Sequence, residues 1–239
     1  MPDHEQSYRD REGKAQSLLD ALTGFTPAFA PADTSLNASN FGNFISGVGA
    51  SNTNVENLAS NYTTNATSRV MVAGAVGAAI TQALSYIKSN KAWDAQFKAA
   101  KAAADKFRGI RPPKSTAAPA PTTPPAPAAR PRNKGEQAYV ELGAHLATFI
   151  TVVTSCPGYA PPSAAITIST LNGLLSQFRG LNGFISQLDA QLTSAREARR
   201  MLYYEADGLE EKFQSVKNAV KGQYGQGSAQ FGMVKAMKW

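Results

Sequence analysis

Four carboxylates crowd together at Glu205, Asp207, Glu210 and Glu211, and a cluster of this kind can ligate a metal or divide acid and base roles. A helix is expected to start at Leu209, however, and acidic side chains near a helix N-terminus are stabilised by the backbone dipole. The corresponding stretch about 130 residues earlier is apolar, so the cluster reads as capping and solvation. The two histidines, His4 and His145, occupy unrelated positions, one in a polar N-terminal segment and one beside Leu146 on a short helix. Neither they nor the single cysteine make a zinc spacing. Cys156 stands where the earlier stretch has Phe25, which marks a small buried hydrophobe rather than a nucleophile. Gly74-Ala75-Val76-Gly77 follows no strand and lacks the lysine of a phosphate loop. Its small residues suit close helix contact. The expectation is a chain with no catalytic residues, no cofactor and no metal.

Positive charge is the other candidate. The chain carries +7, yet the segment from Lys88 to Lys134 holds eleven Lys/Arg against Asp94 and Asp105, a local +9 that leaves −2 elsewhere. Lys91, Lys98, Lys101, Lys106, Arg108, Arg111, Lys114, Arg130, Arg132 and Lys134 are the residues positioned to neutralise phosphates of a polyanion. Stacking aromatics are few there: Trp93, Phe97 and Phe107. A solvated linker explains the same charges, so nucleic acid is possible but not favoured as a partner.

The elements behind these residues are helical. Arg111 to Arg132 contains eight of the 14 prolines and excludes helix and central strand alike. Extended as polyproline II at about 3.1 Å per residue, it spans on the order of 60 Å. It separates 1–110 from 135–239, and the two parts resemble each other. Glu5-Gln6-Ser7-Tyr8 returns as Glu136-Gln137-Ala138-Tyr139, and Pro27-Ala28-Phe29-Ala30-Pro31 as Pro157-Gly158-Tyr159-Ala160-Pro161. Ala95-Gln96-Phe97 returns as Ala229-Gln230-Phe231, the offset having drifted from 131 to 134.

In the second copy Leu174, Phe178, Leu181, Ile185, Leu188, Leu192, Ala195 and Leu202 follow heptad spacing broken at Arg199. This predicts one long helix from about Pro162 to about Tyr204. The first copy keeps the seam through Phe44, Val48, Ser51, Val55, Leu58, Tyr62, Asn65 and Val72, with Arg69 at the same break. Shorter helices are expected at Glu5–Leu22 and Gln137–Thr154, and later ones at Val76–Ser89, Ala95–Phe107, Leu209–Gly222 and Ser228–Met237. A long helix half-covered by each flanking helix leaves its seam in need of more cover. Pairing two such copies predicts an all-α, four-rod bundle with pseudo-twofold symmetry.

The run Ala198-Arg199-Arg200, Leu202-Tyr203, Gly208-Leu209, Val216-Lys217, Val220-Lys221, Tyr224-Gly225 and Ser228, with the Pro157–Pro162 turn, resembles a family of uncharacterised bacterial two-copy helical proteins. The likeness covers most of the second copy. In the first, Val70-Met71-Val72-Ala73 replaces Arg200 to Tyr203. The resemblance implies the duplicated architecture and no reaction.

Hydrophobic content of 43% is that of a folded protein, whereas 17% charged residues is low, which points to surfaces that touch other protein. The first ten residues have no signal-peptide run, and the longest apolar stretch, Val70 to Ile80, falls short of the roughly 20 residues of a spanning helix. Asn37, Asn61 and Asn65 begin Asn-x-Ser/Thr triplets of the kind expected by chance in this composition. The sequence thus predicts a cytoplasmic, non-enzymatic structural or interaction protein that associates with itself, with polyanion binding as the alternative.

Overall fold

A helix starts where side chains satisfy its first free N–H groups, and here the starts recur along the chain. Asn37 Oδ1 accepts from the N–H of Asn40, and 130 residues later Thr167 Oγ1 accepts from that of Thr170. A short 3-10 turn precedes each cap, at Thr34–Leu36 and Ala164–Ile166. The second long helix therefore starts at Ile168 rather than near Pro162, because Pro161 and Pro162 lead into that turn.

The computed structural model describes residues 3–110 and 135–239, with side chains from 7–110 and 139–239. The Pro/Ala-rich linker lies outside the described residues, which are helical with no strands. In chain order the helices are α1 (Asp3–Thr23), α2 (Ala38–Ser89), α3 (Asp94–Phe107), α4 (Gly135–Thr154), α5 (Ile168–Tyr204), α6 (Leu209–Tyr224) and α7 (Ala229–Lys235).

Contacts group the chain into two compact units, one made of Met1–Tyr62 with Leu188–Trp239 and the other of Thr63–Gln187. Both cut across the sequence boundaries at 110 and 135. The first unit takes α1, the start of α2, the end of α5, α6 and α7, and α1 touches both α6 and α7. Its core is built on Leu18, Leu22, Phe41, Ile45, Val48, Tyr203, Phe213, Val216 and Val220. The second takes the rest of α2, α3, α4 and the start of α5, with α3 lying against α4. There Val76, Ile80, Ile87, Trp93, Phe149, Val153, Ile166, Leu171 and Leu175 are buried together.

Each unit also ties the turn of one half of the chain to the helices of the other half. In the first, Tyr224 donates to the carbonyl of Pro27 and Gln223 to that of Ala28. In the second, Tyr86 donates to the carbonyl of Ala160.

The buried lines of α2 and α5 share four stations. Phe41, Ile45, Val48, Asn52 and Val55 are buried in α2, and Leu171, Leu175, Phe178 and Ile185 occupy the matching stations of α5. Arg69 and Arg199, expected as breaks in the seam, lie on it, 8% and 3% exposed. Leu174 and Leu202 sit beside this line, half-buried.

Downstream the two halves diverge. α2 runs unbroken to Ser89, so the separate helix expected at Val76–Ser89 is the end of α2. α5 instead stops at Tyr204, and Glu205–Gly208 forms a turn before α6. After this turn Leu209, Phe213, Val216 and Val220 are buried 133 residues beyond Val76, Ile80, Ala83 and Ile87, so most of the drift in offset falls here. Asp207 takes φ 62°, and Glu211 accepts from its N–H, which caps α6.

α2 is rich in poor helix formers, but its hydroxyls are spent inside it. Ser46, Thr53, Thr67, Ser68, Thr81 and Ser85 each donate to the carbonyl four residues back. The helix is also, by length and composition, the one among the described residues that is long and apolar enough to cross a membrane. The 11-residue run read from the sequence extends through Thr81, Gln82 and Ser85, which are polar but uncharged.

Glycine substitutions separate these effects. A Cβ on Gly47, on an exposed stretch of α2, meets nothing within 4 Å. Gly47→Ala should therefore stabilise by about 0.5–1 kcal/mol through backbone entropy. On Gly208 a Cβ would lie 2.7 Å from the Glu205 carbonyl oxygen and 3.0 Å from the backbone of Tyr203. Gly208→Ala should destabilise by about 1–3 kcal/mol. Paired thermal melts would read both signs.

Candidate functional site

Charged side chains on a packed helix seam need partners, and in the first unit they collect around α1. Arg9 projects from α1 toward α2 and donates to the Glu56 carboxylate at 2.8 and 2.7 Å, to Thr53 Oγ1 at 3.1 Å and to Glu12 at 2.9 Å. Asn52, 1% exposed, donates from Nδ2 to Glu12 and to the hydroxyl of Tyr203. Tyr203, fully buried at the end of α5, donates in turn to the carbonyl of Tyr8. The Tyr8 ring packs edge-on against Tyr203, with centroids 4.7 Å apart, and the Arg199 guanidinium lies 3.9 Å from its centre.

The hydrogen bond from Arg9 holds the Glu56 carboxyl below its ordinary range, against the opposing effect of desolvation, and the charge of Arg199 adds to the lowering. The same pairing, with Glu56 first, raises the Arg9 guanidinium. Burial pushes the Tyr203 hydroxyl up to about 12, although the Asn52 hydrogen bond opposes it. Neither Glu56 nor Tyr203 is therefore poised to exchange a proton near neutrality. Chemically the cluster fixes α1, α2 and α5 to one another.

The second unit has an Arg–Tyr stack of its own without the carboxylates around it. Arg69 stacks 3.7 Å from the centre of the Tyr139 ring, as Arg199 does on Tyr8. Asn182 donates to the carbonyl of Tyr139. Where the first unit has Arg9, Glu12, Thr53 and Glu56, the stations 130 or 131 residues later hold Val140, Gly143, Gly183 and Ser186. In place of a charged cluster these residues, with Ala144, Arg179 and Asn182, line an open cleft of about 330 Å³.

The residues singled out for polyanion contact divide three ways. Arg111, Lys114, Arg130, Arg132 and Lys134 lie outside the described residues. Lys98 is paired with Asp94 at 2.8 Å and Lys101 with Asp105 at 2.6 Å, each along α3. Lys91 and Lys106 are exposed, and Arg108 donates to Thr81 Oγ1. α3 thus presents alternating signs rather than a continuous basic face. Cys156 is buried, 3% exposed, and burial raises its thiol.

Sequence reasoning found the Tyr8/Tyr139 pair as part of a repeat but missed its purpose. The signal available was the arginine at the same step of both seams, since a cation on an apolar line requires an aromatic or anionic partner.

Two titrations test the cluster. Glu56 is lowered from 4.5, so the stability it provides is present above that value and is lost as pH falls through its lowered folded value. Glu56→Gln should cost about 1 kcal/mol at neutral pH and flatten the decline of Tm on acidification. Tyr203 is the opposite case: raised from 10, it stabilises fully below pH 10, and this is lost as pH rises through about 12. Burial pushes Tyr159 to about 12 as well. Tyrosinate absorbance should therefore show two of the eight tyrosines ionising last, with Tyr203→Phe removing one of them. The same variant should lose about 1–3 kcal/mol, because it strips Asn52 of a buried partner.

No family model, no curated protein and no solved structure matches this chain, so its function has to be argued from its own residues.

Proposed function

We propose that this chain is a non-enzymatic structural or interaction protein, an internally duplicated helical-bundle subunit that associates with copies of itself. The observation that carries the proposal is the outer face of α2 in the second unit. Thr67, Val70, Met71, Gly74, Ala75, Ala78 and Thr81 are all exposed there, and no charged side chain is exposed on α2 between Thr63 and Ser85. Val70 and Met71 are 58% and 71% exposed. Solvated helix faces normally carry charge, and here the hydroxyls of Thr67 and Thr81 are already bonded to backbone. Gly74 and Gly77 have open space where a Cβ would be, which leaves room for another backbone to approach.

The opposite side of the same stretch, through Val76, Ile80, Ala83, Leu84 and Ile87, packs in the core of the second unit. This supports α2 as the spine of a bundle. The duplication is supported by the matched caps, seams and Arg–Tyr stacks, and pseudo-twofold pairing of the copies belongs to the same proposal. Polyanion binding has less support, since Lys98 and Lys101 are already paired.

Sedimentation at low and moderate salt, with negative-stain images of the same samples, tests self-association. The expected result is a defined oligomer or filament. Met71→Glu combined with Ala78→Glu should weaken association at least tenfold with helix content unchanged, because each contact then buries unpaired charge. A monodisperse monomer at every accessible concentration would overturn the proposal.

A further inference from the structure

We infer that a basic corner cleft of the second unit receives the acidic turn between α5 and α6 of a second copy of this chain. The inference rests on the self-association reading and adds to it a named contact and its chemistry. The corner lies where α2 ends and α3 begins. Ile87, Lys88, Asn90, Lys91, Asp94 and Phe97 line a cleft of about 350 Å³. Lys88 and Lys91 are exposed, and the one carboxylate of the lining, Asp94, is held by Lys98. Phe97 contributes a half-buried apolar wall, its ring centre 6.0 Å from Lys88 Nζ. From Lys88 to Ile110 six cations face two carboxylates, a net +4.

The complementary charge lies in the other unit. Across Arg200–Lys212 the carboxylates Glu205, Asp207, Glu210 and Glu211 face Arg200 and Lys212, a net −2. Asp207, at φ 62°, is 91% exposed, and its nearest cation, Lys212 Nζ, is 3.9 Å away. Glu205 is 54% exposed, and Arg200 donates to it at 3.4 Å. A cleft of this size takes a loop tip rather than a helix, and the turn is the acidic loop tip among the described residues. Opposite charges steer encounter and set register. The two surfaces are different patches, so the contact is heterologous. It propagates into a ring or a filament according to whether the rotation between copies closes.

The test is charge exchange in the full-length protein, read by sedimentation at low salt with helix content monitored. Lys88→Glu with Lys91→Glu should weaken association at least tenfold, and so should Glu205→Lys with Glu210→Lys. The chain carrying all four changes should regain association, and raised salt should weaken the wild type. If the wild type assembles and neither pair of changes alters it, this contact is wrong while self-association stands. If the wild type never assembles, self-association fails and takes this contact with it. If Lys88→Glu with Lys91→Glu abolishes binding to a DNA duplex but spares assembly, the corner is a nucleic-acid surface and the inference is overturned.

Discussion

An arginine on a packed helix seam cannot be left in hydrocarbon, and its requirement for a partner shapes both units of this protein. Arg69 and Arg199 stand at the same step of two seams, each nearly buried, and each lays its guanidinium over a tyrosine ring. Desolvated cation–π contacts are worth about 2 kcal/mol, while a buried cation stripped of its partners costs more than that. The rings come from α1 and α4, so the short helices are drawn onto the long ones at a defined height. An all-apolar seam would tolerate sliding by a turn. This one does not.

Around the same stack the two units have taken different courses. The first surrounds it with Arg9, Glu12, Glu56, Asn52 and Tyr203, a cluster in which the charged groups answer one another. In the second, Val140, Gly143, Gly183 and Ser186 stand at the stations of Arg9, Glu12, Thr53 and Glu56, Asn182 stands at that of Asn52, and a shallow cleft is left. Tyr203, central to the first cluster, corresponds to Ala73. What is common is the stack, and what surrounds it is free to vary. The units differ further along as well, where α2 runs on unbroken while a turn at Glu205–Gly208 separates α5 from α6.

Surface chemistry follows from where the charges are. α3 cancels much of its own positive charge along its length, which leaves the excess at the α2–α3 corner, while the turn after α5 concentrates acid. In the second unit α2 also exposes a face with no charge. Polarised patches and a neutral face are what the proposed self-association draws on, since one chain holds both halves of the complementarity.

Helical class and the placement of most short helices within a few residues were legible in the sequence, because periodicity and proline are local properties. Seam positions such as Phe178, Ile185 and Leu188 were identified correctly, and they are buried. In the sequence Arg69 and Arg199 read as interruptions, because hydropathy scores a residue alone and cannot register a ring brought from a distant helix. The continuity of α2 past Val76 was missed for a related reason: its glycines and hydroxyl residues are weak helix formers, and their hydroxyls find acceptors only once the helix exists. The assembly of each unit from both halves was decided by tertiary structure alone. Sequence records that a face must be covered, but a heptad line is equally satisfied by any apolar partner, and the choice belongs to non-local packing.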